Sequence, residues 1–257
     1  MKLAERIAFV TGGGSGLGRA IAEAFAAEGA AVAVFDLRGD AAQQTIEALP
    51  GSGHLALAGD VSDAAAVAAA FDRVDQTHGR LDVLVNNAGV DRLPDDGHEQ
   101  MMTTGYSTEH MSDEAFVRMQ AIHLHGAFFC TREAVRRMVP AGRGGSILNM
   151  SSIAGLGGFG AVHYCTAKAG LLGLTRSLAR ELGRAKIRVN AICPGAIDTP
   201  MTQGMSEGIL KGLTAATPLQ RMGTAQEIAA LALFLASDDG SFITGQAVSP
   251  NGGIHIA

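Results

Sequence analysis

Tyr164 and Lys168 lie four positions apart in Tyr164-Cys165-Thr166-Ala167-Lys168. On a helix that spacing stacks a phenol and an ammonium on one face, one turn apart. A phenol with a pKa near ~10 is a poor base at neutral pH. Lowering it by roughly 2–3 units takes about 3–4 kcal/mol of differential stabilisation, which two nearby positive charges can supply. One such charge would be the lysine. A pair like this is commonplace on protein surfaces, so its neighbours decide whether it is placed to react.

Residues 11–18 read Thr-Gly-Gly-Gly-Ser-Gly-Leu-Gly, a T-G-x-x-x-G-x-G spacing with Gly12, Gly16 and Gly18 as fixed points around Ser15 and Leu17. Glycines let the backbone turn sharply and approach a pyrophosphate, which then meets the positive end of the following helix. Asp36 follows at close to the offset expected of a ribose-binding acid. Its carboxylate can accept hydrogen bonds from both hydroxyls of an adenosine ribose and would repel a 2′-phosphate. That favours NAD over NADP. Arg38 is the competing signal, but repulsion in a narrow site outweighs what a mobile arginine gains.

The elements that must position these groups are legible as short β-branched runs alternating with helical stretches. Strands are expected at 7–11, 31–36, 54–58, 81–86, 146–150, 187–192 and 246–249. A helix should follow Ser62, with Val67, Phe71 and Val74 on one face, and stop at Gly79. Another opens with Thr224 and Glu227 at capping-box spacing and buries Ile228, Leu231 and Leu235. A long helix over 164–182 carries Tyr164 and Lys168. The pattern predicts an α/β fold: a Rossmann-type, doubly wound, seven-stranded parallel sheet with helices on both faces. No repeat, linker or composition break interrupts it, so one domain over residues 1–257 is expected.

Asn86-Asn87-Ala88-Gly89, Ser151-Ser152 and Pro194-Gly195 all fall at carboxyl ends of strands in this sheet. With the 11–18 loop, Asp60-Val61 and the Tyr164/Lys168 pair, the set resembles the short-chain dehydrogenase/reductase superfamily over essentially the whole chain. The resemblance implies that Tyr164 is the general acid/base and that Lys168 holds the nicotinamide ribose and lowers the phenol's pKa. A serine hydroxyl would polarise the substrate carbonyl. The Ser-x-x-Gly register selects Ser152, whereas the usual spacing to the tyrosine selects Ser151; Ser152 is preferred because the strand fixes register more firmly than a loop. It also implies a cofactor site of Gly12, Ser15, Gly16, Leu17 and Gly18 at the phosphates. Asp36 and Leu37 serve the adenosine, Asp60 and Val61 the adenine, and Asn87, Ala88 and Gly89 the ribose. Pro194, Gly195, Ile197 and Thr199 would meet the carboxamide end.

Three departures stand out. His123, in Ile122-His123-Leu124-His125-Gly126, replaces the asparagine that in relatives supports a water relay to the lysine. An imidazole can donate and accept, so it could serve the relay or simply pack; the substitution also resembles some hydroxyacyl-thioester members. The connection from Gly89 to His123 is about a dozen residues longer than usual. Its extra part, roughly 93–110, holds Met101, Met102, Tyr106, His98 and His110 and is expected to be a wall or lid of the substrate pocket, or else a surface excursion. Asn251 replaces an acidic residue before Gly252-Gly253, which should affect the C-terminal turn.

The net charge of −5 and the lack of a basic block argue against nucleic acid and anionic membranes as partners. Residues 1–10 hold too short an apolar run for a signal core, no stretch approaches a membrane span, and three scattered cysteines read as reduced thiols, so a cytoplasmic protein without a metal is expected. The leading expectation is an NAD-dependent oxidoreductase interconverting a secondary alcohol and a ketone. The 199–222 loop, with Met201, Met205, Ile209, Leu210 and Leu213, should close over a hydrophobic substrate. The alternatives are a 3-oxoacyl thioester reductase or 3-hydroxyacyl-CoA dehydrogenase, and a dinucleotide-binding regulator without turnover. The resemblance further implies a homotetramer.

Overall fold

The computed structural model describes residues 1–256; the side chain of Met102 lies outside the described residues, as does Ala257. The chain begins with β1 (Ile7–Thr11), α1 (Gly16–Ala27), β2 (Ala31–Asp36), α2 (Gly39–Ala48), β3 (Leu55–Ala58), α3 (Ala64–His78) and β4 (Val83–Asn86). After α4 (His98–Thr104), α5 (Asp113–Gln120) and α6 (Gly126–Ala141) come β5 (Gly145–Met150), α7 (Ile153–Gly157), α8 (Val162–Leu182) and β6 (Ile187–Ile192). Then β7 (Ile197–Asp198), α9 (Pro200–Gln203), α10 (Glu207–Ala216), β8 (Gly223–Thr224), α11 (Ala225–Ala236) and β9 (Ala247–Val248) complete the chain. Seven strands form one parallel sheet in the order β3-β2-β1-β4-β5-β6-β9. The order reverses between β1 and β4, and the crevice that this opens at their carboxyl ends is where a doubly wound sheet binds ligands.

Both faces of the sheet are covered, which is why its strands read as continuous apolar runs. On one face α1 and α11 pack Ile21, Phe25, Ile228 and Leu235 against Val10 and Val34. On the other, α3, α6 and α8 bury Phe71, Val74, Met138 and Leu182, and Phe71 stacks on Phe9 at 4.2 Å between ring centroids. Truncating either ring to alanine would cost roughly 3–5 kcal/mol.

Helix ends follow local chemistry. The cap of α3 is Asp63, not Ser62: its carboxylate accepts the Ala65 and Ala66 amides, while Ser62 is turned toward Asp60. Gly79 ends that helix at φ +62°, a conformation that favours glycine. Thr224 and Glu227 form the expected capping box of α11. Between α5 and α6 the chain makes a π-turn at Ala121–His125, which places His123. A two-stranded ladder, β7 with β8, ties together the ends of the 199–222 segment. No helix among the described residues is long and apolar enough to cross a membrane.

Candidate active site

A cavity of about 440 Å³ opens at the carboxyl ends of β1, β4, β5 and β6. Every catalytic and cofactor residue expected from the sequence lines it except Gly18. Gly18 lies beneath the loop, where a β-carbon would fall 2.2 Å from the Gly12 carbonyl oxygen and 2.5 Å from the Asn87 amide. Gly12 and Gly16 take φ of +62° and +54°, where side chains are strained. Ser15 caps α1 by backbone alone, without a side-chain hydrogen bond, so the first amides of that helix face the cavity uncommitted. A loop whose glycines resist side chains, by close contact or by positive φ, and which ends on open amides fits a pyrophosphate.

Thr11 and Asn87 hold this loop to β4. The Asn87 and Ala88 amides both donate to the Thr11 hydroxyl at 2.9 Å, and the Asn87 side chain donates to the carbonyls of Thr11 and Gly12. Its NH₂ group is therefore a brace, leaving only the oxygen of that amide for a ligand. Asp36 is fixed from two sides: Gly14 donates to one oxygen at 2.9 Å and Arg38 N–H to the other at 3.0 Å. Leu37, beside it, is exposed at the rim. Asp60 accepts both the amide and hydroxyl of Ser62 and the guanidinium of Arg118, 2.6 Å away on α5. Arg118 lines the cavity and was not foreseen.

At the other end, Lys168 is buried and donates from Nζ to the Met150 carbonyl at 2.7 Å, and Ser151 donates its hydroxyl to the Lys168 carbonyl at 2.8 Å. These bonds tie β5 to α8 in both directions. They also separate the two serines. Both line the cavity, but the Ser151 proton is committed to the Lys168 carbonyl, whereas the Ser152 oxygen accepts the Ala154 amide and its proton faces Tyr164. Burial pushes the Tyr164 phenol up to about 12, against an opposing hydrogen bond from Ser152. Burial also brings Lys168 down to about 8, with its ammonium 5.5 Å from the Tyr164 ring centre. The protein surroundings by themselves therefore raise the phenol.

His123 is buried, edge-on to the Tyr164 ring at 5.5 Å. Its Nε2 meets the Val90 carbonyl at 2.8 Å, and its Nδ1 meets no hydrogen-bond partner in the protein. Burial and the Lys168 charge hold its basicity well below the usual imidazole range, so it is neutral. Pro194, Gly195 and Ile197 form the wall opposite Tyr164, and Asn251 packs on Gly195, where a β-carbon would meet it at 2.8 Å.

The expected substrate segments contribute unequally. From 199–222, Thr199, Pro200, Met201 and Thr202 line the cavity, while α10 buries no residue and leaves Ile209 exposed. Among the described residues none of 93–110 lines it, and Tyr106 points largely to solvent. That segment instead reaches the Tyr164 helix from behind, through buried Asp96 against His163. Among the described residues no cluster of His, Cys, Asp and Glu could hold a metal ion.

The family model described as Enoyl-(Acyl carrier protein) reductase matches residues 12–255. A (3R)-3-hydroxyacyl-CoA dehydrogenase of Rattus norvegicus is 42% identical, covering 100% of this chain and 98% of that protein. A 3-oxoacyl-[acyl-carrier-protein] reductase of Thermotoga maritima is 36% identical over the whole of both chains. Among solved structures, a short-chain type dehydrogenase/reductase from Mycobacterium marinum superposes with a TM-score of 0.89 at 32% identity, covering 100% and 98% of the two chains.

Proposed function

The chain belongs to the short-chain dehydrogenase/reductase superfamily of oxidoreductases, and we propose that it interconverts a secondary alcohol and a ketone with NAD(H), its substrate being a 3-hydroxyacyl thioester. Such a thioester is itself a secondary alcohol. The rat and Thermotoga relatives, named for acyl thioesters, favour it over a simple cyclic or aromatic alcohol.

The observation that carries the reaction is the meeting of Tyr164, Ser152 and buried Lys168 at one end of a cavity whose other end is a glycine cradle. Bound there, the dinucleotide supplies the hydride acceptor or donor. In alcohol oxidation the Tyr164 phenolate takes the hydroxyl proton, while the Ser152 hydroxyl donates to the substrate oxygen as it becomes a carbonyl. Lys168 holds the nicotinamide ribose and keeps a positive charge near the phenol. Burial raises that phenol, and the positive ring of an oxidised cofactor would join Lys168 in favouring the phenolate. His123 belongs in the relay through its unpartnered Nδ1, near enough to Lys168 to feel its charge.

Asp36 makes NAD the cofactor of choice. Both its oxygens are held by backbone amides, so it cannot swing away from an incoming 2′-phosphate. Exposed Phe128 and Val139 on α6 offer apolar surface for the helix pairing of a homotetramer. Initial rates decide the substrate class: NAD reduction by a 3-hydroxyacyl-CoA is set beside a cyclic secondary alcohol, with NADP in parallel and Tyr164→Phe as control. A faster thioester rate with NAD, absent in Tyr164→Phe, is expected. Preference for the simple alcohol would overturn the thioester assignment, and turnover in Tyr164→Phe would overturn the mechanism.

A further inference from the structure

His163 is fully buried, directly before Tyr164. Its Nδ1 accepts the Tyr164 amide at 2.9 Å, at the start of a helix whose capping position, Ala161, has no side chain to do so. With Nδ1 accepting, the neutral ring carries its proton on Nε2. That nitrogen has no hydrogen-bond partner and faces Asp96 Oδ2 at 3.8 Å.

Asp96 comes from the 93–110 segment and is itself buried. Arg92 grips both its oxygens at 2.7 Å, and the Leu93 and His98 amides donate at 3.2 and 3.0 Å. Those donors outweigh its burial and hold it at about 2, so it is a carboxylate at any working pH. The other charged or titratable groups acting on this imidazole are Arg92 and the neutral ring of His123. The His163 carbonyl is held by Gln120 of α5 at 2.9 Å, so the residue is restrained on three sides.

We propose that Asp96 and His163 are positioning residues for the reaction: the carboxylate orients the imidazole, and the imidazole holds the Tyr164 amide and so aims its phenol at Ser152. This rests on Tyr164 being the acid/base. Supporting groups of this kind fix a reacting side chain to within fractions of an ångström. The 93–110 segment then serves the site from behind the tyrosine rather than as a wall against substrate.

The test measures kcat, both KM values and the pH profile of alcohol oxidation for His163→Gln, Asp96→Asn and the double variant, with Tyr164→Phe beside them. NADH fluorescence titration counts the folded sites, so a folding defect is separated from a defect in turnover. Each single variant is expected to lose about tenfold in kcat per folded site, with KM for NAD within roughly twofold of the parent. The ascending limb of the pH profile should move to higher pH as the phenol leaves its positive neighbours. The double variant should be no worse than the poorer single one, because both act through one contact. Unchanged kcat and pH profile, or a loss that merely follows the count of folded sites, would overturn the proposal. Turnover surviving in Tyr164→Phe would remove the acid/base assignment and the positioning role with it.

Discussion

A β-carbon on Gly89 would fall 2.3 Å from Cε1 of His123 and 2.8 Å from its Nδ1. The end of β4 and the π-turn therefore share one space, and the imidazole fills what would be the side chain of residue 89. This also sets the Val90 peptide against His123 Nε2. Gly89→Ala should destabilise the protein by about 1–3 kcal/mol through overpacking. Adding His123→Asn, a shorter side chain, should return most of that loss. Thermal unfolding of the single and double variants checks this; equal stability of Gly89→Ala and the parent would refute it.

Asp36 should govern cofactor choice. Asp36→Ala removes a fixed negative charge while keeping Arg38 two residues away, so the preference for NAD over NADP should fall by about tenfold or more. The measurement is the ratio of kcat/KM for the two cofactors. If that ratio stays put, the carboxylate does not face the ribose.

Lys168 should be held at a cost in stability. Its pKa falls from 10.5 to about 8 on folding. The unfolded chain binds the extra proton between those values, so stability rises with pH there; below about 8 the full penalty of about 3 kcal/mol is present. Lys168→Met should abolish turnover yet raise the unfolding midpoint at pH 7, less whatever the freed Met150 carbonyl loses. A variant that melts below the parent would show that the Lys168–Met150 bond outweighs the desolvation.

Arg118 should act on cofactor binding alone. Its guanidinium closes over Asp60 and Ser62 at 2.6 Å, but it is nearly half exposed. Arg118→Ala should therefore weaken NADH binding by only about 1 kcal/mol, or roughly fivefold, with kcat unchanged. Fluorescence titration and steady-state rates together test it, and a fall in kcat at saturating cofactor would contradict it.

The sheet was legible because its inner strands are buried apolar runs between turn residues; β1, β2 and β6 begin and end where expected, and β3, β4 and β9 are shorter. The glycine loop, Asp36, Ser152, Tyr164 and Lys168 were legible because their spacing along the chain already encodes strand ends and a helical turn. The choice between Ser151 and Ser152 resolves only in space, since neighbouring side chains at a strand end point opposite ways. Arg118 with Asp60, 58 positions apart, and Asp96 with His163 leave no local pattern, because tertiary packing alone brings them together. The two-residue strands β7 and β8 are too short for any periodicity. The spacing of Tyr164 to Lys168 was visible for the same local reason, whereas the depth at which both are buried was not.

The ladder of Ile197–Asp198 with Gly223–Thr224 pins both ends of the 199–222 segment side by side. Whatever lies between those ends begins and finishes at the same place, whether it is longer, shorter or differently folded. Its first four residues line the cavity and α10 buries no residue, so the middle of the segment is open to exchange. Length and sequence can change there without the phosphate cradle or the Tyr164 helix having to adapt.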